Sequence, residues 1–164
     1  MDTLSHALWG KGLFGYRGNS KVAIFFGAMP DLFSFGLLFI IKLITGNRGE
    51  FGAPKLETIP DWLFLSYDIF HSFITAFLCI AIVFYYKKNI AFAMLSWPFH
   101  ILLDFPFHSK EYFPTKLLFP ISDFSFDGIP WSHPGIWFPN IAGIIILFIY
   151  RKKWALVRKQ FPKY

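Results

Sequence analysis

Four long apolar runs dominate this chain of 164 residues, and three of them carry ionisable side chains. The runs are Val22–Ile41, Trp62–Tyr86, Ile90–Phe107 and Gly135–Tyr150. A helix needs about 20 apolar residues to cross the hydrocarbon core of a bilayer, with a usual range of about 17–25. The first three runs reach that length, and the fourth does so only if Trp154 and its neighbours extend it. Composition agrees: 55% of the residues are hydrophobic, only 16% are charged and mean hydropathy is +0.46, against about 25% charged in ordinary soluble domains. The expected fold is all-α, a polytopic membrane helical bundle of about four spans plus a short N-terminal helix, with residues 1–164 forming one domain.

Charge orients such a bundle. If the N-terminus, the Lys87-Lys88 loop and the tail after Tyr150 share one side, that side holds Lys11, Arg17, Lys21, Lys87, Lys88, Arg151, Lys152, Lys153, Arg158, Lys159 and Lys163. The only acid there is Asp2. The other side holds Lys42, Arg48, Lys55, Lys110 and Lys116 against Glu50, Glu57, Asp61, Glu111, Asp123 and Asp127. Such a bias puts both termini in the cytoplasm of a multi-pass cell-membrane protein. The net charge of +6 is then explained by these flanks and by anionic lipid headgroups, and no nucleic-acid partner is expected. Met1–Tyr16 lacks the basic and apolar regions of a cleavable signal. Cys79 is the sole cysteine, which excludes an internal disulfide and a thiolate zinc cluster.

Three acids, Asp31, Asp68 and Asp104, and two histidines, His71 and His100, fall inside the apolar runs. An acidic side chain at the bilayer centre costs roughly 2.5–3.5 kcal/mol on insertion scales and usually marks function. At a rise of ~1.5 Å per residue, Asp31 lies near the midplane, His71 and His100 within ~5 Å of it and Asp104 within ~9 Å. Side chains scattered only for packing have no reason to share a level, whereas a shared site does. His100 and Asp104 stand four residues apart, so a helix presents both to one point, as two ligands of one ion must be presented. Asp68 and His71 are three apart, and Asp68 either orients His71 or binds metal itself. Pro30-Asp31 interrupts the first run, and irregular backbone at membrane depth is tolerated where it lines a cavity or is buried in protein.

Thr3 or Ser5 is a candidate cap for a short helix bearing His6, which by spacing alone reads as an interfacial histidine. Thr45–Asp61 reads as a polar loop. Ser109–Pro134 is a long aromatic and proline-rich loop of the lid-like kind, and from it His108, His133, Asp123 and Asp127 are available to a site. Gly135–Tyr150 reads as a plain anchor with a basic stop. Imidazole and carboxylate donors together suit a divalent metal, zinc or manganese.

The order Ser5-His6-x-x-x-Gly10, Pro30-Asp31, His71-Ser72, His100-x-x-x-Asp104, Thr115…Pro120 and Gly128-x-x-Trp131 resembles the predicted membrane-bound metal-dependent hydrolases over nearly the whole chain. That family is similar in ligand order to the zinc-dependent phospholipase C proteins. The resemblance implies that His6, Asp31, His71, His100 and Asp104 are metal ligands, with His108 a further one. Many members carry a His-Arg pair a few residues before the His-Ser, where this chain reads Ser66-Tyr67-Asp68. Whether Asp68 takes over part of that role stays open.

The expected function is therefore a membrane-bound metal-dependent hydrolase in which activated water attacks a lipid-borne phosphoester. Asp31 or Asp104 serves as ligand or general base, and Asp68 supports His71. The alternative is a metal or ion carrier using the same side chains as a relay. A third possibility is an interaction protein whose buried polar groups only lock helix packing.

Overall fold

The computed structural model describes residues 1–46 and 54–160, with side chains through residue 155. Arg48, Glu50 and Lys163, together with the side chains of Arg158 and Lys159, lie outside the described residues. The chain forms α1 (Thr3–Phe14), α2 (Ser20–Asp31), α3 (Leu37–Ile44), α4 (Asp61–Phe70), α5 (Phe73–Tyr86), α6 (Lys88–Met94), α7 (Ser96–Asp104) and α8 (Pro134–Gln160). The all-α expectation holds, since the described residues contain no β-strand beyond one isolated bridge between Lys116 and Ser125.

Not all four apolar runs become continuous spanning helices. Ser20–Ile44 and Pro134–Ala155 are long and apolar enough to cross a membrane. The second run is a pair, α4 and α5, bent by 54°, and it counts as a third span only if the pair is one crossing. The third run is divided at Leu95 into α6 and α7, each far shorter than a bilayer. The polar residues explain this division of the second run. His71 and Ser72 leave the helix, and other parts of the protein satisfy the freed backbone, as a low-dielectric setting requires. Phe73 N donates to Leu117 O at 2.8 Å, Ser72 Oγ donates to Phe119 O at 2.6 Å, and Trp97 Nε1 donates to Phe70 O at 2.7 Å.

Pro30 acts more gently than a break. The helix runs on through Asp31 and widens to a π-helical stretch over Leu32–Gly36. Ser34 Oγ there donates to Pro30 O at 2.8 Å. A proline in mid-helix removes a donor and crowds the preceding turn, and the π-helical stretch that follows it re-aims the residues beyond.

Small residues bring α1 against α2. A Cβ at Gly27 would stand 2.6 Å from His6 O, and one at Gly10 would stand 2.6 Å from Ala23 O. Ala23 and Gly27 are four apart on α2, the small-x-x-x-small arrangement that lets membrane helices touch backbone to backbone. Asp2, rather than Thr3 or Ser5, caps α1: its carboxylate accepts from Ser5 N at 2.8 Å and from Ser5 Oγ at 2.7 Å. α8 is more than an anchor, because its buried Asn140 donates to Ser5 Oγ and accepts from Trp9 Nε1, each at 2.8 Å.

Apolar clusters lie on either side of this crossing. Leu38, Ile59, Leu63, Tyr67 and Phe113 form one; Ile80, Ala91 and Met94 form another, beside Val22, Phe26 and Val83. Outward-facing Phe39, Ile44, Leu78, Ile82 and Ile146 are more than half exposed, an apolar surface of the kind that lipid covers.

Candidate metal centre

Helix ends bring the polar residues together. α1 supplies His6 near its start, α2 ends at Asp31, α4 ends beside His71, and α7 carries His100 and ends at Asp104. His6, His71, His100 and Asp104 are buried, and the side chain of Asp31 is 13% exposed. One donor atom each from Asp31, His71, His100 and Asp104 lies within 4.8 Å of all the others.

The rings are oriented by backbone carbonyls. His71 Nδ1 donates to Tyr67 O at 3.0 Å, and His100 Nδ1 donates to Gly27 O at 2.7 Å. A carbonyl can only accept, so both Nδ1 atoms carry the proton, and in the neutral rings both Nε2 atoms present lone pairs. Those two Nε2 atoms stand 3.1 Å apart. His71 Nε2 is 3.8 Å from Asp31 Oδ1 and 3.6 Å from Asp104 Oδ2, and His100 Nε2 is 3.7 Å and 3.2 Å from the same atoms.

These separations fit one small cation. Four donors held ~2.0–2.1 Å from a tetrahedral ion stand ~3.3–3.4 Å from one another, and the observed distances straddle that value. Burial sharpens the point, because Asp31 Oδ2, Asp104 Oδ2 and His6 Nδ1 are buried with no hydrogen-bond partner in the protein. An unsatisfied buried acceptor costs about 1–3 kcal/mol, and more when charged. The group of four can therefore hold a metal ion.

Compared with protein-family models, curated proteins and solved structures, the chain matches none.

Of the remaining predicted residues, His6 and His108 border the group of four. His6 lies beside it: Nε2 is 2.9 Å from Asp104 Oδ1, and the ring stacks on His100 with centroids 3.5 Å apart. The N-terminal ammonium of Met1 is a second partner of Asp104 Oδ1. Burial pushes the His6 imidazole down to about 4, and the Asp104 charge offsets this only in part. His108 Nδ1 donates to Phe113 O at 3.1 Å, while its Nε2 is 3.6 Å from Asp104 Oδ2. His108 is the third imidazole turned toward Asp104 by a backbone carbonyl, and burial holds it below the ordinary imidazole range.

Asp68 requires a correction. Its carboxylate accepts from Lys116 Nζ at 2.8 Å, whose other acidic neighbour is Asp123 at 3.3 Å, and Tyr67 O takes the orienting role on His71. The Asp68 carboxylate accordingly holds the Lys116 ammonium above its usual range. Asp127 accepts from Lys110 N, and exposed His133 accepts from Gly135 N at the start of α8.

The long loop supports the site more than His108 alone would suggest. Gly128 N donates to His108 O, and Trp131 N donates to Phe107 O. A Cβ at Gly128 would stand 2.1 Å from Pro106 O, so only glycine fits that crossing. Buried Thr115 shares a hydrogen bond of 3.1 Å with Tyr67 Oη. Tyr67, inside the second apolar run, was within reach of sequence reading, and Thr115 stands in the motif order that carries the resemblance. The orienting carbonyls of Tyr67, Gly27 and Phe113 carry no residue signature.

Proposed function

We propose that this protein is a membrane-bound metal-dependent hydrolase acting on a lipid-borne phosphoester, with zinc as the ion that suits its two-histidine, two-carboxylate donor set. The observation that carries the reading is the pair of opposed Nε2 lone pairs on His71 and His100, 3.1 Å apart. A proton shared between the two rings would satisfy those nitrogens but leave Asp104 Oδ2 unpartnered. A divalent cation answers both needs, and when bound it lowers the pKa of water toward neutrality and polarises a phosphoryl oxygen.

The residues divide the work. His71 and His100, held in one tautomer by backbone carbonyls, are the fixed donors. Asp104 is held on its Oδ1 side by His6, which leaves Oδ2 for the ion. Asp31 is the most exposed of the four, and its Oδ2 has no protein partner. It is therefore best placed to accept a proton from an attacking water. It is followed by Leu32 and Phe33, nearly half exposed on the span Ser20–Ile44. A substrate reaching Asp31 passes these apolar side chains, which favours one already dissolved in the membrane over a soluble nucleotide. The carrier alternative needs a polar route to both faces, and the cluster of Ile80, Ala91 and Met94 with Val22, Phe26 and Val83 obstructs one direction. In this reading the protein is an integral membrane protein with both termini cytoplasmic.

The test incubates purified protein in mixed-lipid vesicles with and without chelator and profiles the lipids by mass spectrometry. Chelator-sensitive loss of one phosphoester class, abolished by His71→Ala and by Asp31→Ala, is the expected result. If metal-replete protein consumes no lipid while metal crosses the same vesicles, the carrier reading replaces this one.

A further inference from the structure

A cleft lined by none of the metal-site residues gathers the basic residues of two separate segments. It has a volume of about 620 Å³ and is lined by Arg17, Gly18, Asn19, Lys87, Lys88, Asn89 and Ile90. Folding brings together the turn before α2 and the turn between α5 and α6: Asn19 Nδ2 donates to Asn89 O at 3.0 Å, and the Arg17 guanidinium lies 4.0 Å from the centroid of Phe92. Arg17, Lys87 and Lys88 are exposed, and no lining residue is acidic. The Lys88 ammonium lies 5.5 Å from the Phe84 ring. Aromatic faces thus hold two of the cations, and a guanidinium stacked on a ring keeps its in-plane N–H donors free for an anion. Asn19 spends its side chain on Asn89 and makes no capping bond to α2. The positive end of a helix that continues to Ile44 therefore adds to the field in the cleft.

We propose that this cleft binds the phosphate of an anionic phospholipid, with the acyl chains lying along α5. The cleft chemistry would accept any phosphate-bearing anion, and its surroundings select the lipid. Tyr85 and Tyr86, 82% and 75% exposed, stand next to Lys87, as aromatic residues do at the headgroup level of a membrane protein. Leu78, Ile82 and Phe84 lead to the cleft along the same helix, each more than half exposed. Apolar flank, aromatic belt and cation cluster follow one another in the order that chain, interface and headgroup do.

The proposal is independent of the metal reading and is tested separately from it. Detergent-purified protein is equilibrated with equimolar phosphatidylglycerol and phosphatidylcholine, and the lipids retained are counted by native mass spectrometry. Each cation near an anionic headgroup contributes about fivefold, so Lys87→Gln/Lys88→Gln should lower phosphatidylglycerol retention on the order of 25-fold. The exposed pair Lys87→Arg/Lys88→Arg should keep it, and both variants should melt like the parent. Equal retention of the two lipids by the parent protein overturns the proposal, as does an unchanged preference in the glutamine variant. Displacement of phosphatidylglycerol by a modest excess of inorganic phosphate would assign the cleft to free phosphate and overturn the lipid assignment.

Discussion

His71 and His100, 29 residues apart in sequence, face each other through Nε2 atoms 3.1 Å apart, and each has its Nδ1 committed to a backbone carbonyl. Neither ring can relieve the opposition by changing tautomer without losing that carbonyl. The arrangement is stable only with positive charge between the rings, and the two carboxylates that converge there match that requirement.

Gly27 joins packing to chemistry. A methyl group at Gly27 would meet His6 O at 2.6 Å and Ala7 Cα at 3.3 Å, both on the backbone of α1, so α1 must move. Gly27 O also orients His100. Gly27→Ala should therefore destabilise the protein by about 1–3 kcal/mol and weaken metal binding by roughly 10–100-fold, as losses of an orienting partner do. Gly36→Ala, where the closest contact is 3.4 Å, is the control and should behave like the parent. Thermal melts and metal titration check both, and identical behaviour of the two variants would refute the coupling.

Asp68 was expected beside His71 and is found on Lys116. Asp68→Asn should leave metal content unchanged and cost at most about 1 kcal/mol, because the pair is partly exposed. It should also speed proteolysis of the Ser109–Pro134 loop, which Lys116 helps to tether. Metal loss as severe as that of His71→Ala would instead mean that Asp68 acts on His71.

Acid should act on the metal-free protein through His6. Its folded-state value of about 4 lies below the ordinary 6.5, so the unfolded chain takes up a proton at higher pH than the folded one does. The stability associated with neutral His6 is present above about pH 6.5 and is lost as pH falls toward 4. Melting temperature measured across that window should fall in the parent and fall less in His6→Asn. Equal slopes would contradict the assignment.

Sequence reading reached the helical class, a helix of spanning length over Val22–Ile41 and the convergence of Asp31, His71, His100 and Asp104, because charges inside apolar runs are conspicuous and costly. It missed the break at His71-Ser72. His71-Ser72 is a polar pair at that point, but the partners that permit a break, Leu117 O and Phe119 O, come from a distant loop. It read α8 as a plain anchor although Asn140 docks it onto Ser5 and Trp9; an amide within an apolar run was the available signal. His6 reached the ligand set through resemblance alone, and its position on Asp104 rather than within the group of four depends on the crossing of α1 and α2, for which Ala23-x-x-x-Gly27 was the available signal.

If the opposed histidines and their carboxylates hold one divalent ion, that ion should stay with the protein through purification. Elemental analysis of detergent-purified protein, prepared without chelator, tests it most directly. About one equivalent of zinc or a similar ion per chain is expected, with a large loss in His100→Ala and Asp104→Ala while both still insert and melt cooperatively. Parent protein free of metal, or variants that retain the parent's full content, would contradict it.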